Sequence, residues 1–202
     1  MPRYLSKSRF KQALECPRKL YYTGKPDYAD TSTEDEFLAA LAEGGFQVGE
    51  LAKLHFPEGI EVTARDQALQ IRETAELLQR DEVTLFEATL QCGDFLERVD
   101  VLQKHGNEIR LIEVKAKSLD SKEGTADWWT VRAPRKIKSE MLPYLQDIAF
   151  QTHVFQLAFP GYRVHCELML VDKAKRSSRD GTAASSLDSN RWSTLARATH
   201  AK

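Results

Sequence analysis

An acidic residue and a lysine stand two positions apart in one strand-like run, and a second acid precedes them. Glu113 and Lys115 lie in the run 109–116, where alternate side chains point to the same face of a strand. Asp100 precedes Glu113 with twelve residues between them, in a second β-rich run that the turn at 105–107 joins to the first. Because antiparallel neighbours place such residues side by side, we expect the two carboxylates to lie close together.

Two adjacent carboxylates repel each other, and a divalent cation relieves that repulsion. Oxygen ligands suit Mg²⁺ or Mn²⁺, which can hold a phosphate oxygen and generate a hydroxide nucleophile. Lys115 is a compact cation that can orient the attacking water and stabilise the negative charge that builds on the phosphate. The pattern therefore predicts phosphodiester hydrolysis. The alternative for Glu113 and Lys115 taken alone is an ordinary ion pair on a surface hairpin.

The elements that must position these residues form an α/β domain with a mixed sheet and flanking helices. The β-rich runs 83–91, 95–103 and 109–116 predict an antiparallel meander, and 164–171 predicts a further strand. Helices are predicted from Ser6 or Ser8 to Pro17, over 34–55 with an interruption at Gly44–Gly45, over 66–80, and over 140–159. We expect one domain over residues 1–172, followed by a polar segment, 173–202, that is mobile or a weakly held helix.

The composition is that of an ordinary globular protein, with 202 residues and a net charge of -1. No apolar run approaches the roughly 18 residues that a membrane span needs, and the N-terminus lacks a secretory signal, so a cytoplasmic protein is expected. The three cysteines form no CxxC pair and are expected to be buried thiols. Residues 1–25 carry seven basic side chains against one acid, whereas 26–50 carry seven acids and no base, which permits a phosphate-binding surface beside an acidic one.

The spacing Asp100–x(12)–Glu113–Val114–Lys115 resembles the signature of the PD-(D/E)XK nuclease superfamily. The surroundings are similar to its RecB-like branch, which includes the CRISPR-associated RecB-like exonucleases. Two flanking segments and one acid carry that similarity: Ser8 through Cys16-Pro17-Arg18, Gln151-x-x-x-Phe155 in place of a usual Gln-x-x-x-Tyr, and Glu87.

The resemblance implies a restriction-endonuclease-like core, α-β-β-β-α-β, with N-terminal helical additions. It implies a metal-dependent, exonuclease-like DNA nuclease of recombination, repair or defence. In this role Asp100, Glu113 and the backbone carbonyl of Val114 would hold Mg²⁺ or Mn²⁺, Lys115 would position the nucleophile, and Gln151 would assist.

The chain also departs from the pattern of these relatives. The histidine that many of them carry in a Gly-x-x-x-His pattern is replaced by Gly49 in the segment starting at Gly45, and Glu50 or Glu43 is the candidate substitute ligand. Three dispersed cysteines exclude a four-cysteine cluster within this chain, so no iron–sulfur cofactor is expected. Relatives also tend to continue beyond this length, so a C-terminal portion or a protein partner is expected to contribute.

DNA is the expected partner. The basic N-terminal segment and the loop 117–138 would guide it, and Trp128–Trp129 would either stack on single-stranded bases or close over the core. The side chains expected to contact DNA are Arg18, Lys19, Lys117, Arg135, Lys136 and Lys138. Two rival hypotheses remain: a DNA-binding module that keeps the fold without turnover, and a subunit whose site matures only with a partner.

Overall fold

The computed structural model describes residues 3–28, 36–122, 128–175 and 192–194, with the backbone alone described for 36–43 and 192–194. The helices are α1 (Lys7–Glu15), α2 (Pro17–Tyr22), α3 (Glu36–Lys53), α4 (Gln67–Leu77) and α5 (Leu142–Ala158). The strands are β1 (Leu5–Ser6), β2 (Ile60–Glu61), β3 (Glu82–Cys92), β4 (Phe95–His105), β5 (Glu108–Leu119), β6 (Arg163–Asp172) and β7 (Trp192–Thr194).

The described strands form one open, mixed sheet in the order β2-β3-β4-β5-β6-β7, with β1 paired to the start of β4. The β3-β4-β5 meander is antiparallel, and β6 returns parallel to β5 after α5. The predicted meander, the helix that follows it and the strand after that helix are therefore confirmed, with ends that move by up to three residues. The predicted α/β class is also confirmed.

Helices cover both faces of the sheet. One core cluster packs β3, β4 and β5 against α5, with Phe150, Val154 and Phe155 facing the sheet. A second cluster packs Phe86, Val101 and other residues of the opposite face against α3. Covering both faces explains why the central strands are apolar on both sides.

The side-chain alternation of β3 and β4 shifts by one residue in mid-strand. Leu85 and Ala88 both pack on the α5 face, although three positions separate them, while Phe86 packs on the α3 face. Glu87, between them, has a φ of 56°, in the left-handed region that side chains other than glycine seldom adopt. The side-chain alternation of β4 shifts in the same way at Asp100. The residue pairing of β3 with β4 therefore keeps one register on both sides of the shift.

The helix predictions are largely correct. Asp66 caps α4, its carboxylate accepting a hydrogen bond from the Leu69 amide at 2.8 Å. Ser6 stands at the N-cap of α1, although its side chain makes no capping bond. The predicted interruption at Gly44–Gly45 is wrong, because α3 continues through both glycines.

Two further expectations need correction. Cys16 is exposed rather than buried, because it stands at the break between α1 and α2, while Cys166 is buried as expected. Trp192–Thr194 forms an edge strand beside β6 where a polar tail or a helix was expected. The rest of 176–202 lies outside the described residues. No helix in the described part of the chain is long and apolar enough to cross a membrane.

Substitution of Gly59, the residue before β2, tests the packing around Phe86, the neighbour of Glu87. A Cβ added at Gly59 would meet the buried ring of Phe86, whereas a Cβ at Gly44, within α3, would meet nothing. We expect Gly59→Ala to lower the free energy of unfolding by about 1–3 kcal/mol, because the ring cannot move without disturbing its cluster. Gly44→Ala should raise stability by up to about 1 kcal/mol through helix propensity. Urea denaturation of both variants measures this, and equal stabilities would contradict the close approach.

Candidate active site

The site lies where two neighbouring strands separate. The β4–β5 ladder ends at the pair Val101–Ile112, and β5 continues beside β6 alone. Just past the last pair, a carboxylate oxygen of Asp100 accepts a hydrogen bond from the Val114 amide at 2.7 Å. The side chain thus pairs with a backbone donor that the ladder no longer satisfies, and this contact holds Asp100 beside β5.

The carboxylate of Glu113 is the centre of the site and is fully buried. Lys7, from the first turn of α1, donates to both of its oxygens at 3.0 and 2.9 Å. The Lys115 ammonium and the Gln151 amide, which comes from α5, also contact this carboxylate. Three elements that are distant in the sequence therefore hold one carboxylate in place.

A second carboxylate, Asp147 on α5, extends the network. Lys115 approaches it at 3.3 Å and Lys11 approaches it at 3.4 Å. Asp147 is fully buried, and Lys11 lies one helical turn after Lys7 on α1. The ammonium of Lys115 thus bridges two buried acids on different elements, which restricts the positions it can occupy.

A third buried carboxylate, Glu97 on β4, faces the same lysine as Glu113. Its oxygen lies 3.4 Å from the Lys7 nitrogen, and the residue is 1% exposed. The alternation shift at Asp100 puts Glu97 on the face of Val99, which packs in the α5 cluster. Two acids from different strands therefore converge on one ammonium group.

An open cleft of about 950 Å³ gives access to this site from the side of α3. Asp100, Glu113, Val114 and Lys115 reach it from the separating strands. Further cations and acids line its walls, namely Lys7, Lys53, Arg98, Lys117, Glu50, Glu61 and Glu87. A cleft that combines cations with carboxylates suits a phosphate ligand approached together with a metal ion.

The charges around Glu113 keep its carboxylate ionised. Burial raises the pKa of this group, but the ammonium groups of Lys7 and Lys115 outweigh burial and hold the pKa below its usual value. For Lys7, burial lowers the pKa, yet Glu113, Asp100 and Glu97 together raise it above the ordinary value. Both partners are therefore charged at neutral pH.

The pKa values of the two neighbouring acids shift in the opposite direction, upwards. Burial, followed by repulsion from Glu113, raises the pKa of Asp100 to about 7. Burial likewise raises the pKa of Glu97 to about 8, against the attraction of Lys7. Both acids therefore have raised pKa values close to neutral pH, and a further cation beside them would favour their ionised forms.

The structure brings the predicted central residues together. The cleft is lined by Asp100, Glu113, Val114 and Lys115. Gln151 contacts Glu113 from α5. Glu50 also lines the cleft, where its carboxylate pairs with Lys53 at 2.7 Å. The side chain of Glu43, the other substitute considered for the histidine, lies outside the described residues.

The residues expected to contact DNA are spread over two regions. Arg18 and Lys19 are exposed on α2, and Lys19 pairs with Glu15 at 2.7 Å. Lys117 reaches the cleft and lies 3.7 Å from Glu140. Arg135 and Lys136 are exposed, and Lys138 is partly buried, in the segment between β5 and α5.

That segment contains a hairpin with tryptophans on opposite sides. Trp129 and Ile137 form a β-bridge, and Lys138 donates its amide to the Trp128 carbonyl at 2.9 Å. Trp128 is buried in a cluster with α5 and β6, whereas Trp129 is 41% exposed. The two tryptophans therefore have different environments. Trp128 packs in the core, and Trp129 exposes part of its ring at the surface.

Sequence reasoning missed Lys7, Glu97 and Asp147. Lys7 lies 106 positions before Glu113, and no short-range spacing links the two. Asp147 had a weak signal, because an acid in an otherwise apolar helix is rarely buried without a partner. Glu97 was hidden by the shift in alternation, which regular strand periodicity does not anticipate.

The oxygen atoms around the cleft are the possible ligands for a divalent cation. Within the described residues no group of three or more His, Cys, Asp or Glu side chains forms a complete ligand set. The carboxylates of Asp100 and Glu113 nevertheless share the cleft. Hard oxygen donors of this kind suit Mg²⁺ or Mn²⁺, and water would complete the coordination. Among the described residues, both oxygens of Glu97 and one oxygen each of Asp147 and Gln151 lack a hydrogen-bond partner.

Comparison with protein-family models, with curated proteins and with solved structures gave no match to this chain.

The raised pKa of Asp100 predicts how stability depends on pH. Because the pKa in the folded protein, about 7, exceeds the ordinary value of 3.8, stability falls as the pH rises through that window. Asp100→Asn removes this cost and keeps an acceptor for the Val114 amide. In EDTA, we expect the variant to exceed the wild type by roughly 1–3 kcal/mol near pH 8, and by less near pH 5.

Urea denaturation at the two pH values measures the difference. Asp94→Asn, in the exposed β3–β4 turn, is the control for the loss of one carboxylate. An advantage of Asp100→Asn that is larger near pH 5 than near pH 8 would contradict the assignment.

Proposed function

We propose that this protein is a metal-dependent deoxyribonuclease that hydrolyses phosphodiester bonds. The observation that carries the proposal is the meeting of Asp100 and Glu113 in one open cleft, with Lys115 in contact with Glu113. Two oxygen ligands beside a lysine are the groups that phosphodiester hydrolysis needs around a divalent cation. An ordinary surface ion pair does not account for a fully buried Glu113 with three donors.

Each residue has a distinct task in this proposal. Asp100, Glu113 and the Val114 carbonyl would hold Mg²⁺ or Mn²⁺, which supplies a Lewis acid for a phosphate oxygen. Lys115 orients the attacking water and stabilises the charge that builds on the phosphate in the transition state. Gln151 donates to Glu113 and so fixes the direction in which its carboxylate faces.

The order of elements supports a restriction-endonuclease-like core. Helix α4, the β3-β4-β5 meander, α5 and β6 follow one another as α-β-β-β-α-β, with α1, α2 and α3 added before them. The signature residues lie where β4 and β5 separate, on the side of the cleft, and Glu113 contacts Gln151 of α5. An exonuclease-like enzyme of DNA recombination, repair or defence is the function that fits this reading.

A second candidate is a DNA-binding module that lacks turnover or needs a partner. It is favoured by the incomplete ligand set among the described residues, and by Lys7, which pairs with Glu113 where a cation would bind. This candidate predicts DNA binding without metal-dependent products, or products only when a partner protein is added.

Cleavage of end-labelled DNA in Mg²⁺, Mn²⁺ or EDTA tests the proposed activity. We expect products from the wild type in either metal and none in EDTA. Lys115→Ala should lower the rate at least about 100-fold, because it removes the group that stabilises the transition-state charge. Lys173→Ala, an exposed lysine after β6, is the matched control and should cleave like the wild type.

Equal rates for Lys115→Ala and Lys173→Ala would contradict the assigned site. DNA binding without cleavage by the wild type would favour the binding module. The length distribution of the labelled products distinguishes release from an end from internal cleavage.

The hairpin at 128–138 suggests which form of DNA the protein prefers. Trp129 and Val131 expose apolar surface, with Val131 95% exposed, beside exposed Arg132, Arg135 and Lys136. An exposed indole beside cations suits unpaired bases, which stack on aromatic rings while their phosphates contact basic groups. We therefore propose that single-stranded DNA binds here.

Trp129→Ala should weaken the binding of single-stranded DNA about 5- to 100-fold, because one stacked base is worth roughly 1–3 kcal/mol. Duplex binding should change much less, since paired bases do not offer their faces. Fluorescence anisotropy with labelled oligonucleotides in EDTA measures both. Leu157→Ala, an exposed apolar residue of α5, is the control. An equal loss for both DNA forms would argue against stacking.

A further inference from the structure

Lys7 has an unusual position for a lysine in the first turn of a helix. It directly follows β1, whose pairing of Leu5 with Phe95 and Ser6 with Leu96 holds the chain beside the start of β4. From there its ammonium reaches both oxygens of Glu113, at 3.0 and 2.9 Å, and its side chain is only 22% exposed. The lysine thus sits at the acid that the proposed function assigns to a divalent cation.

Glu97 provides a second acid for the same ammonium group. Its carboxylate is buried, and its nearest oxygen lies 3.4 Å from the Lys7 nitrogen. Among the described residues, neither oxygen has a partner in hydrogen-bond geometry. Within the described part of the chain, Lys7 is the one cation that forms an ion pair with Glu97. A buried carboxylate with incomplete hydrogen bonding has capacity to bind a cation more closely.

Neither of the other two lysines of the site forms an ion pair with Glu97 in the described part of the chain. Lys115 contacts Glu113 and Asp147, and Lys11 contacts Asp147. Lys7 alone among these three lysines lies between Glu113 and Glu97. Because a lysine side chain is a flexible four-carbon stem, its ammonium can move from one acid to the other without movement of the helix.

We propose that Lys7 is a tethered cation that occupies the metal position at Glu113 in the metal-free protein, and that Glu97 receives its ammonium when a divalent cation binds. This inference rests on the proposed function, because the metal position is that of the proposed nuclease. The exchange keeps charge balanced in both states: Lys7 neutralises Glu113 before metal binds and Glu97 afterwards. Lys7 is a positioning residue here, and it competes with the metal for one carboxylate.

If the ammonium moves between the two acids, the effects of Lys7 and Glu97 on metal affinity depend on each other, whereas independent charge effects would simply add. Without Glu97, Lys7 has Glu113 as its remaining acid and competes more strongly with the metal. Without Lys7, Glu97 has no ammonium to receive and loses this influence on the metal. The effect of Glu97 on metal affinity should therefore depend on the presence of Lys7.

Isothermal titration calorimetry of the full chain with Mn²⁺ tests the exchange. We expect Lys7→Met to bind Mn²⁺ at least tenfold more tightly than the wild type, and Glu97→Gln to bind it about tenfold more weakly. In the double variant, Glu97→Gln should add no further change to the affinity of Lys7→Met. Lys25→Met, which removes an equal charge from a lysine that stacks on Tyr21, should bind like the wild type.

The double variant also keeps the test valid if Lys7→Met fails to fold with Glu97 unpaired, because it replaces both charges with neutral groups. It should bind Mn²⁺ about tenfold more tightly again than additive effects would give, that is, at least about 100-fold more tightly than Glu97→Gln. Additive effects of the two substitutions, or equal affinities of the wild type and Lys7→Met, would overturn the exchange and leave the nuclease proposal standing. An absence of Mn²⁺ binding in every folded variant would overturn both.

Discussion

The separation of β4 from β5 is the constraint on which the rest of the site depends. Two antiparallel strands that part in mid-sheet leave backbone donors unpaired, and such groups are costly when buried. Asp100 removes part of this cost by accepting a hydrogen bond from the Val114 amide, so a carboxylate of the candidate site also replaces a backbone bond of the ladder. The opening admits Lys7 from one side and gives access to the cleft from the other.

Charge pairing then ties distant elements to this opening. Four acids on β4, β5 and α5 are matched by three lysines, two from α1 and one from β5: Glu97, Asp100, Glu113 and Asp147 with Lys7, Lys11 and Lys115. Removing one member of such a network leaves another buried charge uncompensated, so the set acts as a unit. The stacking of Phe10 on Phe150, with ring centres 4.9 Å apart, fixes α1 against α5 and sets the positions from which the lysines reach.

Local patterns in the sequence predicted the meander, the last helix and the Asp100–Glu113–Lys115 group, because these depend on turn residues, strand periodicity and a short connection. They did not predict Lys7, whose approach depends on the pairing of β1 with β4 across ninety positions. The two tryptophans show the same limit. Periodicity did not distinguish Trp128 from Trp129, because the bridge between Trp129 and Ile137, which orients them, forms across a loop.

The shift in side-chain alternation determines which acids of β4 face the site. If β4 alternated regularly from Leu102, which faces α5, Asp100 would face α5 and Glu97 would face α3. With the shift, Val99 and Glu97 lie on the face of α5 and α1, and Asp100 lies beside the Val114 amide at the opening. The left-handed backbone of Glu87 costs roughly 1–3 kcal/mol, and regular pairing of β3 with β4 on both sides of it sustains that strain. The shift beside this one strained residue thus leaves Glu97 next to Lys7 and Asp100 at the opening between β4 and β5.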